Sequence, residues 1–406
     1  MKLRQDWEVQ GLERVLGWFD DGTLVRPDAD ELNFVDLVRA LAATAGSTAV
    51  PEGSGVGRIK EIIGDPERLV FVLVDGLGYS QLAAAPDDAF LRRHTAERLQ
   101  SVFLTTTAAA LTSLATGLWP AEHGLPAWWT RLERDNICAV TLPFRERGTG
   151  RRLEEIGVAP SELFTVPSIW PGFTRRLVSI TPAPFIDSVY SNYTSGGTER
   201  WGYDDLPQAF ELAERAVRQA TGSSFTYLYV SQYDSAVHEQ GTRGERSLRV
   251  LSEIDARIAS LAESLAGRAR IVVAADHGQV NTLPEARVML PADDPLTELL
   301  DCDPTGEVGV PFFHVSSGCE SSFGHAFAER WGELYAIIRR EDAEQLNLFG
   351  PAPLTDLMRG RVGTHLGIAP AAAQFAVVPP GWTPPTFLGI HGGLRPDEMY
   401  TPLIVV

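Results

Sequence analysis

Four short, largely apolar runs constrain what this chain can fold into more than anything else in it. They are LVFVLVDGLG (Leu69–Gly78), FTYLYV (Phe225–Val230), ARIVVAA (Ala269–Ala275) and TPLIVV (Thr401–Val406). A short continuous apolar run bounded by turn residues is the pattern of a strand buried on both faces, because helices on either side leave it no polar face. Helical patterns lie between the runs, for example at Leu206–Ala220 and Ser247–Ala266. Strands alternating with helices predict an α/β fold with a mostly parallel central sheet flanked by helices. Three of the runs lead straight into polar residues, at Asp75-Gly76, at SQYDSAVH (Ser231–His238) and at Asp276-His277-Gly278. Open α/β sheets place their sites at the carboxyl ends of parallel strands, so these are the residues to examine first.

The rest of the chain is organised around that rhythm. With 406 residues it is long enough to bury a large core, and it shows no internal repeat or low-complexity tract. Residues 1–64 read as a helical lead-in. Its clearest helix is Leu32–Ala45, which stops before Gly46 and is followed by a loop at Pro51–Gly57. Residues 65–406 read as the main domain, with two interruptions. Residues 126–205, rich in Trp, Pro, Gly and Thr, are expected to form a cap beside the site. Residues 295–385 are expected to form a smaller α+β excursion, with strand-like Pro311–Ser317, helical SFGHAFAERW, strand-like ELYAIIRR and helical EDAEQL.

Charge narrows the function classes. Thirty-five basic residues against 53 acidic ones give a formal net charge of −18, which disfavours nucleic-acid polymers and anionic membranes as partners. A phosphate-ester substrate would need a local reversal of sign, which bound metal supplies. No run of about 18 apolar residues is present, so no membrane span is expected. The opening MKLRQDWEVQ has no apolar stretch after its basic residues and does not read as a signal peptide. Cys138, Cys302 and Cys319 are scattered and offer no disulfide framework and no CxxC metal site. The cytoplasm is the expected compartment.

Taken singly, each polar motif has a plain structural reading. Asp75 before Gly76 is a common turn residue. Asp234 and His238 stand at i and i+4, so a helix would put both on one face, suited to one metal ion or to a simple hydrogen bond. Asp276-His277 at a strand tip offers two good zinc ligands, with Gly278 permitting close backbone approach. His391-Gly392-Gly393 precedes the last strand and reads as a turn. Taken together, three Asp and three His at sheet edges suit two neighbouring metal sites. Two ions about 3.5–4 Å apart can clamp a transferring phosphoryl group. Between these motifs, Ala108–Thr116 is a good helix with Gly117 as its stop. The preceding Thr105, Thr106 and Thr107 are helix-capping types. A hydroxyl there would face free N–H groups and the positive end of the helix dipole.

In this order the motifs resemble the alkaline phosphatase superfamily, specifically its type I phosphodiesterase/nucleotide pyrophosphatase branch, over roughly residues 65–406. The family's strand–Asp-Gly motif is similar to VLVDGLG. Its nucleophile motif is similar to Thr107 followed by TGLWPAEHG, and its Asp-x-x-Gly-His-x-x-Gly to DSAVHEQG, with Val237 in place of the usual Gly. Its Asp-His-Gly is similar to Asp276–Gly278 and its late His-Gly to His391-Gly392. The tail HGGLRPDEMYTPLIVV also resembles the ending of phage-defence phosphatase-like domains.

The resemblance implies a metal-dependent hydrolase of phosphodiester or pyrophosphate bonds with two divalent ions, zinc or alternatively manganese. One ion would be held by Asp234, His238 and His391. The other would be held by Asp75, Asp276 and His277, with the Thr107 oxygen as a further ligand. Thr107 would attack phosphorus in line and give a phosphothreonine intermediate. His123 and Glu122 follow the nucleophile helix, and His123 is read as holding the turn and not as a ligand. His94, His314, His325 and His365 match no ligand position.

The expected substrate is a small phosphate ester or nucleotide. The nucleophile motif carries no Arg or Lys, and Ala110 follows Thr107 by three residues, which favours a diester over a dianionic monoester. Trp128, Trp129, Trp170, Tyr190 and Tyr193 are candidates to stack on a base or aryl group, or else to form the core of the cap. A phosphomonoesterase of the same superfamily is the nearest alternative. A metal-binding interaction module is the alternative from another class, and the presence of all six ligands and Thr107 counts against it.

Overall fold

In the strand Arg68–Val74 every residue after Arg68 is buried, and the side chains alternate between two cores. Leu69, Phe71 and Leu73 pack with Leu37 and Leu41 of helix Phe34–Thr44 and with Leu111 and Leu114 of helix Thr107–Thr116. Val70, Val72 and Val74 pack with Phe210 and Val217 of helix Leu206–Gln219 and with Ile254 and Ile258 of helix Glu245–Ser264. Fully burying one such side chain stabilises the fold by about 1.5–3 kcal/mol, so a strand covered on both faces is among the costliest to disturb. The structure is a computed structural model and describes residues 5–48, 50–378 and 387–406.

Local signals start the flanking helices. Asn33 caps Phe34–Thr44 by accepting the Asp36 N–H, and Asp205 caps Leu206–Gln219 by accepting the Gln208 N–H. The stretch read as a lead-in therefore supplies one face of the main core. Helix Phe34–Thr44 is tied to helix Thr107–Thr116 by Arg39, whose Nε donates at 2.8 Å to the carbonyl of Gly117, the C-cap of that helix.

The central sheet has seven strands, in the order Thr95–Gln100, Tyr400–Val405, Arg270–Ala274, Arg68–Val74, Ser224–Val230, Arg176–Pro182, Glu199–Tyr203. It is the mostly parallel, helix-flanked sheet that the sequence predicts. One strand departs from the expectation. Tyr400–Val405 was grouped with the parallel runs, yet it lies antiparallel to both neighbours. Its composition is that of a buried strand in either direction, so the apolar run carries no sign of orientation.

The reversal matters for the site. An antiparallel strand begins at the edge where its parallel neighbours end. His391, shortly upstream of Tyr400, is thereby delivered to the carboxyl edge. Thr95–Gln100 runs with the parallel set and delivers Ser101–Thr107 to the same edge.

The two interruptions also organise differently from two separate excursions. Strands Arg176–Pro182 and Glu199–Tyr203, inside the stretch read as a cap, belong to the central sheet. The remainder of that stretch joins the later one in a second sheet whose seven strands are all antiparallel. The order is Ala336–Arg339, His365–Ile368, Pro311–Phe313, Thr305–Gly306, Trp129–Leu132, Ile137–Val140, Arg145–Glu146. The seam is the pairing of Gly306 with Trp129.

Helix Asp6–Asp20 docks on the far edge of this second sheet. Its Glu8 pairs with Arg339 and its Gly11 lies against Ile337. A Cβ at Gly11 would stand 2.1 Å from the Ile337 carbonyl oxygen. Ala is the better helix former by about 1 kcal/mol, whereas overpacking of this kind costs about 1–3 kcal/mol. Gly11→Ala should therefore lower the urea unfolding midpoint despite the gain in propensity. A raised midpoint would show that the helix does not dock there.

Candidate metal centre and active site

Strand register brings the acidic residues together. Leu73 stands level with Ala274 in the parallel pair, so Asp75 and Asp276, each two residues on, leave the sheet side by side. Val74 stands level with Val230, after which Ser231 leads into helix Gln232–Gln240 carrying Asp234 and His238. The predicted i, i+4 pairing is present, with His238 Nε2 at 3.3 Å from Asp234 Oδ1. His391 Nε2 is 3.9 Å from the same oxygen. His277 Nε2 lies 3.5 Å from Asp75 Oδ1 and 3.6 Å from Asp276 Oδ2.

All six sequence-predicted ligands and Thr107 thus meet at one edge of the sheet. Two groups of three have ligand atoms all within 4.8 Å of one another: Asp75, Asp276 and His277, and Asp234, His277 and His391. The first is the grouping that the sequence reading gave. The second brings His277 in beside Asp234 and His391, while His238 stands against Asp234 with its ring centroid 5.2 Å from that of His391.

The imidazoles are oriented by the backbone. Each Nδ1 meets a carbonyl oxygen: Gly389 for His238 at 2.8 Å, Gly278 for His277 at 3.1 Å and Thr105 for His391 at 3.0 Å. A carbonyl only accepts, so Nδ1 carries the proton and Nε2 presents its lone pair toward the carboxylates. This is how ligating histidines are held.

The carboxylates give the test of whether these residues fit a metal. Asp75 Oδ1, Asp234 Oδ1 and Asp276 Oδ2 are buried and have no hydrogen-bond partner. Burial, then the charges of Asp276 and Asp234, pushes the Asp75 carboxyl well above the usual carboxylate range. Burial raises Asp276 as well. Burial, then the neighbouring His277 and His238, drives His391 well below the usual imidazole value and keeps it neutral. Unpaired buried carboxylates are costly, and a divalent cation among them removes the penalty. Carboxylates with neutral imidazoles are a donor set that suits such an ion.

The three threonines have separate fates. Thr105 Oγ1 donates to the Gly393 carbonyl at 2.8 Å and accepts the Gly392 N–H at 3.0 Å. Thr106 Oγ1 donates to Glu307 Oε1 at 2.5 Å. Thr107 Oγ1 lies 3.2 Å from His277 Nε2, lines the cavity and opens helix Thr107–Thr116. Gly117 stops that helix at φ +70°. His123 accepts the Leu125 N–H on Nδ1 and meets Ser113 Oγ at 3.1 Å on Nε2. Burial takes its pKa down to about 3, which suits a neutral residue holding the turn. His94, His314, His325 and His365 bond elsewhere, to Phe90, Thr305, Ser321 and Thr364.

A cavity of about 870 Å³ opens from the site. Trp128, Trp129, Trp170 and Tyr190 line it as proposed from sequence, but Tyr193 does not. Its ring stacks on Phe164 and its hydroxyl donates to the Val166 carbonyl. Ala110 is also displaced from its expected role. It is wholly buried in the core, and the helix turns Leu111 and Leu114 to the cavity instead, because i+4 and i+7 share a face with Thr107.

Two cavity residues escaped the sequence reading. The Tyr229 hydroxyl donates to Asp75 Oδ2, and Glu307 carries a buried carboxyl pushed up to about 7 by burial. Tyr229 sits in an apolar strand where only the alternation of FTYLYV could have singled it out. Nothing in TGEVGV marks Glu307.

A doubly covered sheet with an Asp/His cluster and a helix-borne threonine at its carboxyl edge defines an alkaline-phosphatase-type fold. The family model for type I phosphodiesterase / nucleotide pyrophosphatase matches residues 69–301, more than half of the chain, and the chain belongs to that family. It is an enzyme of the phosphodiester- and pyrophosphate-hydrolysing class that the family comprises. No match is found among curated protein sequences.

Solved structures share the fold. Murine ectonucleotide pyrophosphatase/phosphodiesterase 5 is 17% identical, with a TM-score of 0.60, over 83% of this chain and 87% of that one. An inactive threonine-to-alanine variant of the murine protein, in complex with AMP, is also 17% identical, with a TM-score of 0.58 and the same coverage. Phosphonoacetate hydrolase from Sinorhizobium meliloti, in complex with phosphonoacetate, is 17% identical, with a TM-score of 0.59, over 84% of this chain and 89% of that one.

Tyr229 generates a prediction. Partners that hold a ligating carboxylate are worth about 10–100-fold in metal affinity. Tyr229→Phe should weaken divalent-ion binding by that order in calorimetric titration while the far-UV spectrum stays unchanged. Undiminished affinity would separate Tyr229 from the metal centre.

Proposed function

We propose that the chain hydrolyses phosphodiester or pyrophosphate bonds of a small substrate by in-line attack of Thr107. The observation that carries this reading is the set of three orphaned buried carboxylate oxygens, faced by histidine Nε2 atoms, with the Thr107 hydroxyl among them. Asp234, His238 and His391 would hold one divalent ion. Asp75, Asp276, His277 and the Thr107 oxygen would hold the other, and the donor set suits zinc, with manganese as the alternative. Two such ions supply charge neutralisation for the phosphoryl group and a lowered hydroxyl pKa.

The chain's own residues do the rest. Thr107 forms a bond to phosphorus as the bond to the leaving oxygen breaks, and water then hydrolyses the phosphothreonine. Thr105 and Thr106 are spent as hydrogen-bond donors to Gly393 and Glu307, whereas the Thr107 hydroxyl faces His277 Nε2 at 3.2 Å in the cavity lining. The open first turn of helix Thr107–Thr116 points N–H groups at the oxygens of the phosphoryl group. Tyr229 fixes Asp75, and the aromatic walls exclude water.

Diesters are favoured over monoesters. The cations lining the cavity are Arg145, Arg152 and Arg200. Each is already engaged: Arg145 by the Gly150 carbonyl, Arg152 by Glu154, and Arg200 by the Ile186 carbonyl and Asn192. Each of these arginines spends donors on wall groups, with Arg152 paired to Glu154, while Leu111, Leu114 and the tryptophans suit an organic ester group. AMP and phosphonoacetate, bound by the two relatives, are both small phosphoryl compounds. The −18 charge argues against a nucleic-acid polymer, and among the described residues no helix is long and apolar enough to cross a membrane. The three free cysteines accord with a cytoplasmic location.

Loss of the nucleophile should cost several orders of magnitude in rate, whereas loss of a mere helix cap costs about 0.5–2 kcal/mol of stability. Thr107→Ala should therefore fold and keep its metal but lose turnover. Asp276→Ala and His238→Ala should come off purification metal-poor and nearly inactive, as should chelated wild type. An active Thr107→Ala or an active metal-free enzyme would refute the reading.

For substrate class, kcat/KM at saturating metal should be higher for an aryl nucleotide diester than for the matching aryl monophosphate. The opposite order would favour the phosphomonoesterase alternative, and no hydrolysis of either would favour the interaction module.

A further inference from the structure

Helix N-terminal hydroxyls ordinarily fold back and accept an N–H of the first turn. Thr106 holds the N-cap position of helix Thr107–Thr116, with extended φ −131° and ψ 142°, yet makes no such bond. Its hydroxyl donates instead to Glu307 Oε1 at 2.5 Å, and the same oxygen accepts the Trp128 N–H at 3.2 Å.

Glu307 is placed for this by a tight turn in the second sheet. Gly306 takes φ +85°, and a Cβ there would lie 2.5 Å from the Val310 carbonyl oxygen. Glu307 and Val310 exchange both backbone hydrogen bonds at 3.1 Å. The side-chain stem packs on Gly392, where an added Cβ would come within 2.8 Å of Glu307 Cβ. A carboxylate that is 7% exposed is thus held between the turn before Thr107, the wall residue Trp128 and the loop after His391.

The fold gains little from burying an acid here, since apolar contact would close the same space without desolvating a carboxylate. What the acid does is draw the Thr106 hydroxyl toward itself, in a direction in which its oxygen accepts no first-turn N–H. We propose that Glu307 is a positioning residue for the reaction: it diverts the Thr106 hydroxyl from capping the helix, so that the first-turn N–H groups and the Thr107 hydroxyl stay together, open to a phosphoryl group. This rests on the Thr107 reading and adds to it the residue that keeps the helix end vacant.

The test uses kcat and KM for an aryl nucleotide diester at saturating metal, with metal content and the urea midpoint measured beside them. In Glu307→Ala the Thr106 hydroxyl is released to cap the helix. The kcat should fall, on the order of 10²-fold as for misplaced reacting groups. Metal content should hold, while the urea midpoint falls modestly because the Trp128 N–H loses its acceptor. Glu307→Gln keeps the acceptor oxygen and should recover most of kcat. The double variant Glu307→Ala/Thr106→Ala has no hydroxyl left to cap, so it should be faster than Glu307→Ala alone.

Wild-type kcat in Glu307→Ala, or a double variant no faster than the single one, overturns the inference. So does a loss in Glu307→Gln as large as in Glu307→Ala. Thr107→Ala separates the two levels. If it is dead while Glu307→Ala is fully active, only this inference fails. If it is active, the nucleophile reading beneath it fails.

Discussion

Three carboxylates placed side by side at the rim of an apolar sheet repel one another, and most of the surrounding structure is arranged around that repulsion. Register alone sets Asp75 beside Asp276, because their strands are parallel neighbours in step. Asp234 joins them from the first turn of the next helix. Burial raises the pKa of Asp75 and Asp276, so the apo cluster favours holding protons and the ionised cluster favours a cation. His277 contacts both sides of the cluster and stacks on His391 at 3.9 Å between ring centroids, so the two halves are coupled through one imidazole. Each ring is pinned through Nδ1 to a backbone carbonyl, which makes the ligand directions a property of the main chain.

The second sheet converts this edge into a pocket. It is assembled from two segments far apart in sequence and joined at Gly306 and Trp129. From that seam Glu307 reaches Thr106 in the turn before helix Thr107–Thr116, and Trp128 forms part of the wall. Rigidity at the seam is therefore transmitted to the cavity wall and to that turn together.

The central sheet and the clustering of three Asp and three His at its edge were legible because doubly buried parallel strands write themselves as apolar runs with abrupt polar ends. The i, i+4 spacing of Asp234 and His238 was legible for the same kind of reason, a fixed helical period. Orientation of Tyr400–Val405 was not, since TPLIVV is equally apolar in either direction. The second sheet was not either. Pro311–Phe313 is legible as a strand, but Thr305–Gly306 is too short to show an alternation, and the pairing of Gly306 with Trp129, 177 positions earlier (306 − 129), has no local mark. Ala110 stands three residues after Thr107 but is wholly buried in the core, and Leu111 and Leu114 face the cavity from that helix. Tyr229 and Glu307 each reach the cluster through a hydrogen bond whose partner lies far off in sequence, at Asp75 and Thr106. No pattern in the chain encodes such a contact.

The reversed strand has a further consequence, for the making of the protein. Gln100 pairs directly with Tyr400, so Thr95–Gln100 joins the sheet only through a strand that lies 300 residues later. At ~5–20 residues per second the ribosome needs ~15–60 s to supply it. During that interval Thr95–Gln100 is held only at its last residue, by the bridge of Gln100 to Asn33, and the rest of the strand has no neighbour to pair with. An unpaired strand edge invites aggregation, and charge is the usual protection. Thr95–Gln100 carries Glu97 and Arg98, and in the finished sheet the Arg98 guanidinium settles over the Tyr400 ring, 3.8 Å from its centroid. The side chain that keeps the waiting strand soluble becomes a contact to the strand it waited for.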